Sequence, residues 1–376
     1  MKFSFTDEQN EFRSVVRRFM EDKSPTTAVR RLMETETARD DDVWRQISQD
    51  LGLTAVHIPE AYGGQGYGIS ELAITVEEMG RALLCSPYFA TTVLGATAIL
   101  KAGTEAQKKA LLPEIAGGTK TATLAVTEEG GSWDIASIAA TARGDGTGYR
   151  LDGTKSFVVD GHSADVIVVA ARKPGSRGTD GLSLFTVQAG AKGLERQRLE
   201  TVDQTRKLAR LTFKDVDAQL LGSEGGGAAA MQATLDIAAI CLANEMVGGA
   251  ERLLESAIEY ANLRMQFGRP IASFQSLKHK AADMLLDVEL AKSAAYYAAA
   301  AADEDDPELP ALASIAKAGA SEAYMQTAIH AVQIHGGIGF TWDNDTHLWF
   351  KRAKSSEVFL GAPEFHRERL MQSWNV

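Results

Sequence analysis

The sequence predicts an α+β protein in which helices are followed by short strands and then by a second, longer helical segment. Apolar residues recur at helical spacing up to about residue 122 and again from about residue 223. The stretch between them contains β-branched runs separated by Gly and Asp turns. We therefore expect an N-terminal helical domain (1–122), a β domain (123–222) and a C-terminal helical bundle (223–376).

The N-terminal segment opens with a helix-start pattern. In FTDEQNEFRSVVRRFM, Gln9 follows Thr6 at the three-residue spacing of a capping box. Further along, the glycine-rich stretch IPEAYGGQGYG (58–68) leads into a helical pattern that Ser70 is placed to cap. Both signals predict helices in this domain.

The middle segment changes to strand periodicity. The runs YRLDGTKSFVVDG, ADVIVVAAR, GLSLFTVQ and ARLTFKDV are close together, with no long helical pattern between them. This spacing favours an antiparallel barrel or sandwich over a parallel sheet. In the last segment, long helical patterns at 228–263, 273–302 and 307–335 predict a helical bundle.

Composition excludes several classes of protein. The formal net charge of −11 argues against nucleic-acid binding, because phosphate recognition needs a basic surface. No apolar run approaches the roughly 20 residues of a membrane span, and the N-terminus lacks a signal-peptide pattern. Cys85 and Cys241 form no metal-ligand spacing. We expect a cytoplasmic protein without a metal site.

Five stretches, in order along nearly the whole chain, resemble the acyl-CoA dehydrogenase family. They are IPEAYGGQGYG, GTEAQKKALLPEIAGG (103–118), LAVTEEGGSWD (124–134), YANLRMQFGRPIASFQSLKHKAADM (260–284) and AVQIHGGIGF (331–340). The resemblance implies a helical domain, a β-barrel and a C-terminal four-helix bundle. It also implies FAD bound at subunit contacts of a tetramer, an acyl-CoA substrate and an electron-transfer flavoprotein as electron acceptor.

The resemblance assigns FAD contacts to the C-terminal segment. Arg264 matches the arginine that pairs with the FAD pyrophosphate, a bidentate role suited to a guanidinium. Phe267 and Gln275 match positions on the adenine half. The alternatives are a surface ion pair between Arg264 and Glu259 and, for the glycines, a plain helix C-cap and turn. The remaining predicted contacts are Gln333, Gly336, Gly337 and Gly339. At the three glycines, the missing Cβ would let backbone approach the pyrophosphate.

In the β segment, the resemblance is only partial. Thr127 matches the threonine that contacts the flavin ring. Trp133 replaces a small residue, usually serine, that contacts the acyl-CoA, and we assign Trp133 to the substrate site. Phe157 and Val159 replace a Trp-x-Thr pattern: Phe157 retains an aromatic ring for the flavin, whereas Val159 cannot donate a hydrogen bond. The alternative for Val159 is an ordinary inward-facing strand residue.

The C-terminal stretch EVFLGAPEFHRERL (357–370) lacks the expected base. In the family, a glutamate removes the α-proton of the thioester, and the alignment places Leu360 at that position, directly before Gly361. Leucine accepts no proton, but the backbone at Leu360 and Gly361 still suits binding of the thioester oxygen. Ala362 replaces the usual threonine.

A second known glutamate position, on a bundle helix, is also empty because Ala238 occupies it and Ala239 follows. Glu245 lies seven residues further, two helical turns along the same face of an otherwise apolar stretch. It is the in-chain candidate for a base. The alternative is that Glu245 forms a salt bridge inside the bundle or at a subunit contact.

Four functions fit these observations. The first is the base-less FAD subunit of a hetero-oligomeric acyl-CoA dehydrogenase, an α2β2 assembly with a paralogue that desaturates a bulky thioester in steroid or fatty acid catabolism. The second is a homotetrameric dehydrogenase that uses Glu245. The third is a non-desaturating flavin-dependent relative, and the fourth is a scaffolding subunit without flavin. We rank them in that order.

Overall fold

The computed structural model describes residues 5–144, 146 and 148–374. Its elements follow the predicted order. The first helices are α1 (Asp7–Lys23), α2 (Thr26–Met33), α3 (Asp41–Arg45), α4 (Ile69–Arg81), α5 (Thr97–Ala102) and α6 (Glu105–Ala116). Then come the strands β1 (Ala122–Ala125), β2 (Thr141–Gly144), β3 (Tyr149–Val159), β4 (Val166–Arg172), β5 (Leu182–Gln188), β6 (Leu194–Leu199) and β7 (Leu208–Leu221). The chain continues with α7 (Gly227–Leu263), β8 (Met265–Gln266), β9 (Arg269–Pro270), α8 (Gln275–Asp303), α9 (Leu309–His335), α10 (Thr346–Val358) and α11 (Pro363–Ser373).

Strands β1 to β7 form one sheet that closes on itself. The order is β1-β4-β2-β3-β7-β5, and β5 pairs back with β4, while β6 adds to β7. The predicted β-barrel is therefore confirmed. Most pairs are antiparallel; β2 meets β4 in parallel at Thr141 and Arg172, and β1 runs parallel to β4, with Ala122 opposite Val166. The long connection between these two strands makes a parallel pair possible, since no hairpin joins them.

Contacts divide the chain into two compact units. The barrel unit contains residues 31–68 and 85–238, and the helical unit contains residues 1–30, 69–84 and 239–376. Alternate strand residues fill the interior of the barrel unit, as expected for side chains that alternate between two faces. This core includes Leu151, Ile167, Phe185, Leu211 and Val216.

The helical unit is built around the C-terminal part of α7 and the helices α8 to α11, with α1 and α4 from the N-terminal segment. Helix α7 is long and apolar enough to cross a membrane, but 94% of its most apolar window is buried inside the protein. A helix that is apolar on all sides is typical of a buried core position.

Two of the predicted helix starts can be compared with the structure. The capping box of α1 is confirmed, because Gln9 N–H donates to Thr6 Oγ1 at 3.2 Å and Thr6 N–H donates to Gln9 Oε1 at 3.0 Å. The cap of α4 is not Ser70, which lies within the helix. Instead, Asp303 at the end of α8 accepts hydrogen bonds from the N–H groups of Ile69 and Ser70 and from Ser70 Oγ. The carboxylate thus satisfies N–H groups that a helix start leaves without partners.

Candidate active site

The turn after α10 places Leu360 and Gly361 in left-handed backbone conformations, with φ of +60° and +105°. Leu360 is buried, with 4% of its surface exposed. A Cβ on Gly361 would lie 2.4 Å from Phe365 Cδ1, so only glycine fits there. The Leu360 N–H donates no hydrogen bond to any residue that the structure describes. The turn at the expected glutamate position therefore has a left-handed backbone, with an apolar side chain at its centre.

Both carbonyl groups of this turn are held by buried side chains that the sequence analysis missed. His366 Nε2 donates to Leu360 O at 2.9 Å, and Lys317 Nζ donates to Gly361 O at 3.0 Å. Burial lowers the pKa of Lys317 to about 7 and that of His366 to about 3. The sequence offered only weak signals for these two residues. Lys317 is a lysine within an Ala-rich helical pattern, and His366 lies six residues after Leu360.

Glu245 is buried and paired. Its Oε1 lies 3.1 Å from Nη1 of Arg352 on α10, and the two side chains are only 7% and 4% exposed. This geometry is that of an internal ion pair between α7 and α10, which was the alternative considered for Glu245. Ala238 and Ala239 are also buried and carry no group that accepts a proton.

In the barrel unit, the Thr127 loop and strand β3 are joined by reciprocal hydrogen bonds. Thr127 Oγ1 donates to Ser156 O at 2.5 Å, and Ser156 N–H donates to Thr127 O at 2.9 Å. The pairing of β3 with β7 shifts register between Lys155 and Val158, which is a β-bulge. Phe157, inside the bulge, has φ +60° and is 42% exposed. Its ring is therefore accessible, as a role beside the flavin requires.

Lys155 fixes the same loop and was also missed from the sequence. Its Nζ is fully buried and donates to Val126 O at 2.8 Å and Glu128 Oε1 at 2.9 Å. Burial lowers the pKa of Lys155 to about 8. Burial alone would raise the pKa of Glu128, but the charge of Lys155 and two backbone N–H groups outweigh it and lower that pKa. A lysine within a β-branched run was the signal available.

The other two barrel positions differ in exposure. Val159 is buried, with 2% of its surface exposed, in agreement with an inward-facing strand residue. Trp133 is partly buried in the loop before Asp134, whose carboxylate accepts the Ala136 N–H at 2.9 Å. Trp133 thus belongs to an ordered loop.

The predicted FAD residues between α7 and α8 form an exposed hairpin. Strands β8 and β9 are joined by Phe267 and Gly268, with φ of +53° and +77°, a two-residue turn with both φ positive. Phe267 is 90% exposed, and Arg264 and Gln275 are exposed as well. Within the described residues, Arg264 makes no ion pair, and Glu259 lies 3.8 Å from Arg252 instead.

Residues at the end of α7 and the start of α8, which flank this hairpin in the sequence, line a mostly apolar cavity of about 250 Å³. Its walls include Ala261, Asn262, Ala272, Leu277 and Lys278. An unpaired guanidinium, an exposed aromatic ring and an apolar cavity are features that suit a dinucleotide with an anionic pyrophosphate. The residues present therefore fit FAD.

The glycine-rich turn after α9 contains glycines with different requirements. Gly336 ends α9 with φ +66°, and a Cβ on Gly339 would lie 2.7 Å from His335 Cβ. A Cβ on Gly337 would meet nothing within 4 Å, so its surroundings are open. Gln333 is exposed, and its carbonyl accepts the Gly336 N–H. The C-cap alternative is thus present in the structure at Gly336.

Some predicted site positions combine a large apolar side chain with a left-handed backbone. Among the described residues, four large apolar side chains occur at positive φ, and three of them are predicted site residues. Bulky residues rarely adopt this conformation, and it persists where function and surrounding structure maintain it. The four residues are Leu83, Phe157, Phe267 and Leu360.

No group of His, Cys, Asp and Glu suited to a metal ion occurs in the described parts of the chain.

Comparison with known proteins identifies the family. Acyl-CoA dehydrogenase N-terminal, middle and C-terminal domains match residues 6–119, 123–216 and 225–374. The chain is 34% identical over 364 residues to acyl-CoA dehydrogenase IpdE2 of Mycobacterium tuberculosis, covering 97% of this chain and 96% of that protein.

Solved structures agree with this assignment. Butyryl-CoA dehydrogenase from Megasphaera elsdenii matches with a TM-score of 0.93 and 30% identity over 100% of both chains. A variant of the Tcur3481-Tcur3483 steroid ACAD matches with a TM-score of 0.89 and 32% identity over 98% of each chain. The chain therefore belongs to the acyl-CoA dehydrogenase family of FAD-dependent oxidoreductases that act on CH–CH groups.

Proposed function

We propose that this chain is the base-less FAD subunit of a hetero-oligomeric dehydrogenase that desaturates a bulky acyl-CoA thioester at its α,β-bond. The observation that carries this proposal is the turn at Leu360, which retains a left-handed backbone and an uncommitted N–H but has no carboxylate. Acyl-CoA thioesters and electron-transfer flavoprotein are typical of the family as substrate and electron acceptor.

The chain's own residues support binding and polarisation of a thioester. The Leu360 N–H is available to donate to the thioester oxygen, which would make the α-C–H more acidic by stabilising the enolate-like charge. FAD, when bound, would accept the hydride from the β-carbon. Arg264 would pair with its pyrophosphate, and Thr127 and Phe157 would contact its ring system.

The proton is the part of the reaction that this chain does not provide for. Leu360 and Ala238 occupy the two known glutamate positions, and Glu245 is engaged with Arg352. A paralogous subunit that retains its glutamate would supply the base in an α2β2 assembly. Heteromeric steroid relatives exist in the family, and the large Trp133 side chain in place of a small one is compatible with a substrate other than a straight chain.

Co-expression with the paralogue tests this proposal. We expect the complex to contain FAD and to desaturate an acyl-CoA, whereas the chain purified alone should show no desaturation. Replacing the paralogue's glutamate with glutamine should abolish turnover by the complex. A stable yellow homotetramer that desaturates an acyl-CoA without the paralogue would refute the proposal. Flavin absorption, native mass and an electron-acceptor assay provide the readouts.

A homotetrameric dehydrogenase that uses Glu245 is the second candidate, because Glu245 is a carboxylate in an otherwise apolar part of α7. Glu245→Gln would then abolish turnover by the homotetramer while FAD remains bound. Oxygen consumption with reduced flavin would instead indicate a non-desaturating relative. Absence of flavin absorption in both the single chain and the complex would indicate a scaffolding subunit. We propose a cytoplasmic location for all of these forms.

A further inference from the structure

The end of α10 and the turn that follows it expose three carbonyl groups to two buried side chains. Glu357 O and Gly361 O accept hydrogen bonds from Lys317, and Leu360 O accepts one from His366. The last carbonyl groups of a helix have no partner within the helix, and basic side chains commonly satisfy them. In this case the donors come from two other helices, α9 and α11.

Lys317 uses its whole donor capacity at this point. Its Nζ lies 3.2 Å from Glu357 O, 3.0 Å from Gly361 O and 2.9 Å from Ser321 Oγ, and the side chain is fully buried. When protonated, the amine has three N–H donors, one for each of these acceptors, whereas the neutral amine has two. Burial of a lysine is unfavourable unless its hydrogen bonds are made, so this site is organised around the amine.

His366 holds the other carbonyl. Nε2 lies 2.9 Å from Leu360 O, which assigns the ring proton to Nε2, and only 1% of the residue is exposed. Nδ1 faces Ser314 Oγ at 3.5 Å. The carbonyl groups of Leu360 and Gly361 are thus fixed from separate directions by separate helices.

The two hydrogen bonds fix the Leu360–Gly361 and Gly361–Ala362 peptide planes. The Leu360 N–H lies in the preceding Phe359–Leu360 plane, which is linked to these planes through the backbone dihedral angles of Leu360. The orientation of the Leu360 carbonyl and the left-handed φ of Leu360 together determine the backbone through the turn, and the Leu360 N–H remains without an acceptor in the described structure. A leucine does not favour this conformation by itself, so neighbouring contacts must maintain it.

We propose that Lys317 and His366 are positioning residues that hold the Leu360–Gly361 turn so that the Leu360 N–H can bind the oxygen of a thioester. This inference rests on the proposed function, since it assigns the thioester to that N–H. It adds the two side chains, neither of which touches the substrate, that determine the geometry of the donor.

Binding of two related ligands tests the proposal without relying on turnover. Acetoacetyl-CoA carries a thioester carbonyl, whereas CoA has none, so the dissociation constant of CoA divided by that of acetoacetyl-CoA reports on the carbonyl contact. We expect Lys317→Met, in the purified FAD-containing protein or complex, to reduce this ratio about fivefold, as for the loss of one hydrogen bond. Lys354→Met is the matched control because Lys354 pairs with Glu357 on the exposed side of α10. An unchanged ratio in Lys317→Met would overturn the proposal.

A second pair of variants covers the case in which Lys317→Met fails to fold. His366→Gln retains an N–H donor and should keep most of the ligand preference, whereas His366→Leu should lose it. Equal preferences in these two variants would contradict a positioning role for the His366 donor.

Hydrogen exchange separates this inference from the proposed function. In Lys317→Met, the amides of Leu360 and Gly361 should exchange faster than in Lys354→Met, while the rest of α10 is unchanged. If wild-type protein does not prefer acetoacetyl-CoA to CoA, the assigned thioester site is wrong, and the exchange rates still decide whether Lys317 holds the turn. Equal exchange in both variants would show that it does not.

Discussion

Acidification from about pH 7.5 to about pH 5 should destabilise the protein through His366. Burial, and next the neighbouring charge of Lys317, lower the pKa of the imidazole from 6.5 to about 3. In the unfolded chain, the ring binds a proton as the pH falls below about 6.5, but the folded ring stays neutral until about pH 3. The stabilisation is therefore complete above the unfolded pKa and is lost as the pH falls through this window.

The size of the effect follows from the width of the window. Each pH unit below the unfolded pKa removes about 1.4 kcal/mol while the folded ring stays neutral, so about 2 kcal/mol is lost by pH 5. A proton on Nδ1 would place positive charge near Lys317 and Arg369, whereas the Leu360 carbonyl favours the charged ring only in part. The net direction is a loss of stability in acid.

Urea denaturation at the two pH values measures this loss. Burial also lowers the pKa of His57, to about 4, so this histidine adds to the loss in the same range. The comparison is therefore between wild type and His366→Gln, which has no titrating group at position 366. We expect the free energy of unfolding of wild type to fall by about 2 kcal/mol more than that of the variant. Equal losses in the two proteins would refute the reasoning, because His366 would then titrate alike in the folded and unfolded states.

Three further outcomes are expected. Glu245→Gln should destabilise the protein by about 3–5 kcal/mol in denaturant titrations, because the buried Arg352 guanidinium loses its carboxylate; a loss below about 1 kcal/mol would argue against a stabilising pair. Lys155→Met should cost about 1.5–3 kcal/mol and reduce bound flavin, since it removes the charged donor that fixes the Thr127 loop; unchanged flavin content would contradict this role. Phe157→Gly should leave the melting temperature of flavin-free protein unchanged or raise it, because glycine relieves about 1–2 kcal/mol of left-handed strain. The same variant should retain less flavin. A lower melting temperature with unchanged flavin retention would make Phe157 a packing residue.

The element order could be predicted from the sequence because its signals are local. The partners of the Thr6–Gln9 capping box are three positions apart, and both hydrogen bonds form. The start of α4 could not be assigned correctly, because its cap, Asp303, is 233 residues away from Ser70. The parallel placement of β1 beside β4 likewise depends on pairing that neither strand specifies alone.

The candidate site follows the same division. Motif residues such as Arg264 and Gly361 could be named from the sequence, whereas the side chains that hold the site could not. Lys155 acts on Val126, 29 residues away, and Lys317 acts on Gly361, 44 residues away. A buried lysine leaves only a weak trace in a sequence, since lysines are usually exposed.

Because the turn at Leu360 is already left-handed, a single side-chain substitution separates this chain from one that carries its own base. Leu360→Glu would add a carboxylate without a change in backbone conformation, because a leucine already adopts the required φ there. Its main cost would be desolvation of a carboxylate at a position that is 4% exposed, which raises the pKa of a base. Leu360→Gln offers the same shape without proton affinity. Comparing the desaturation rates of the two variants would separate the contribution of the turn's backbone from that of the carboxylate.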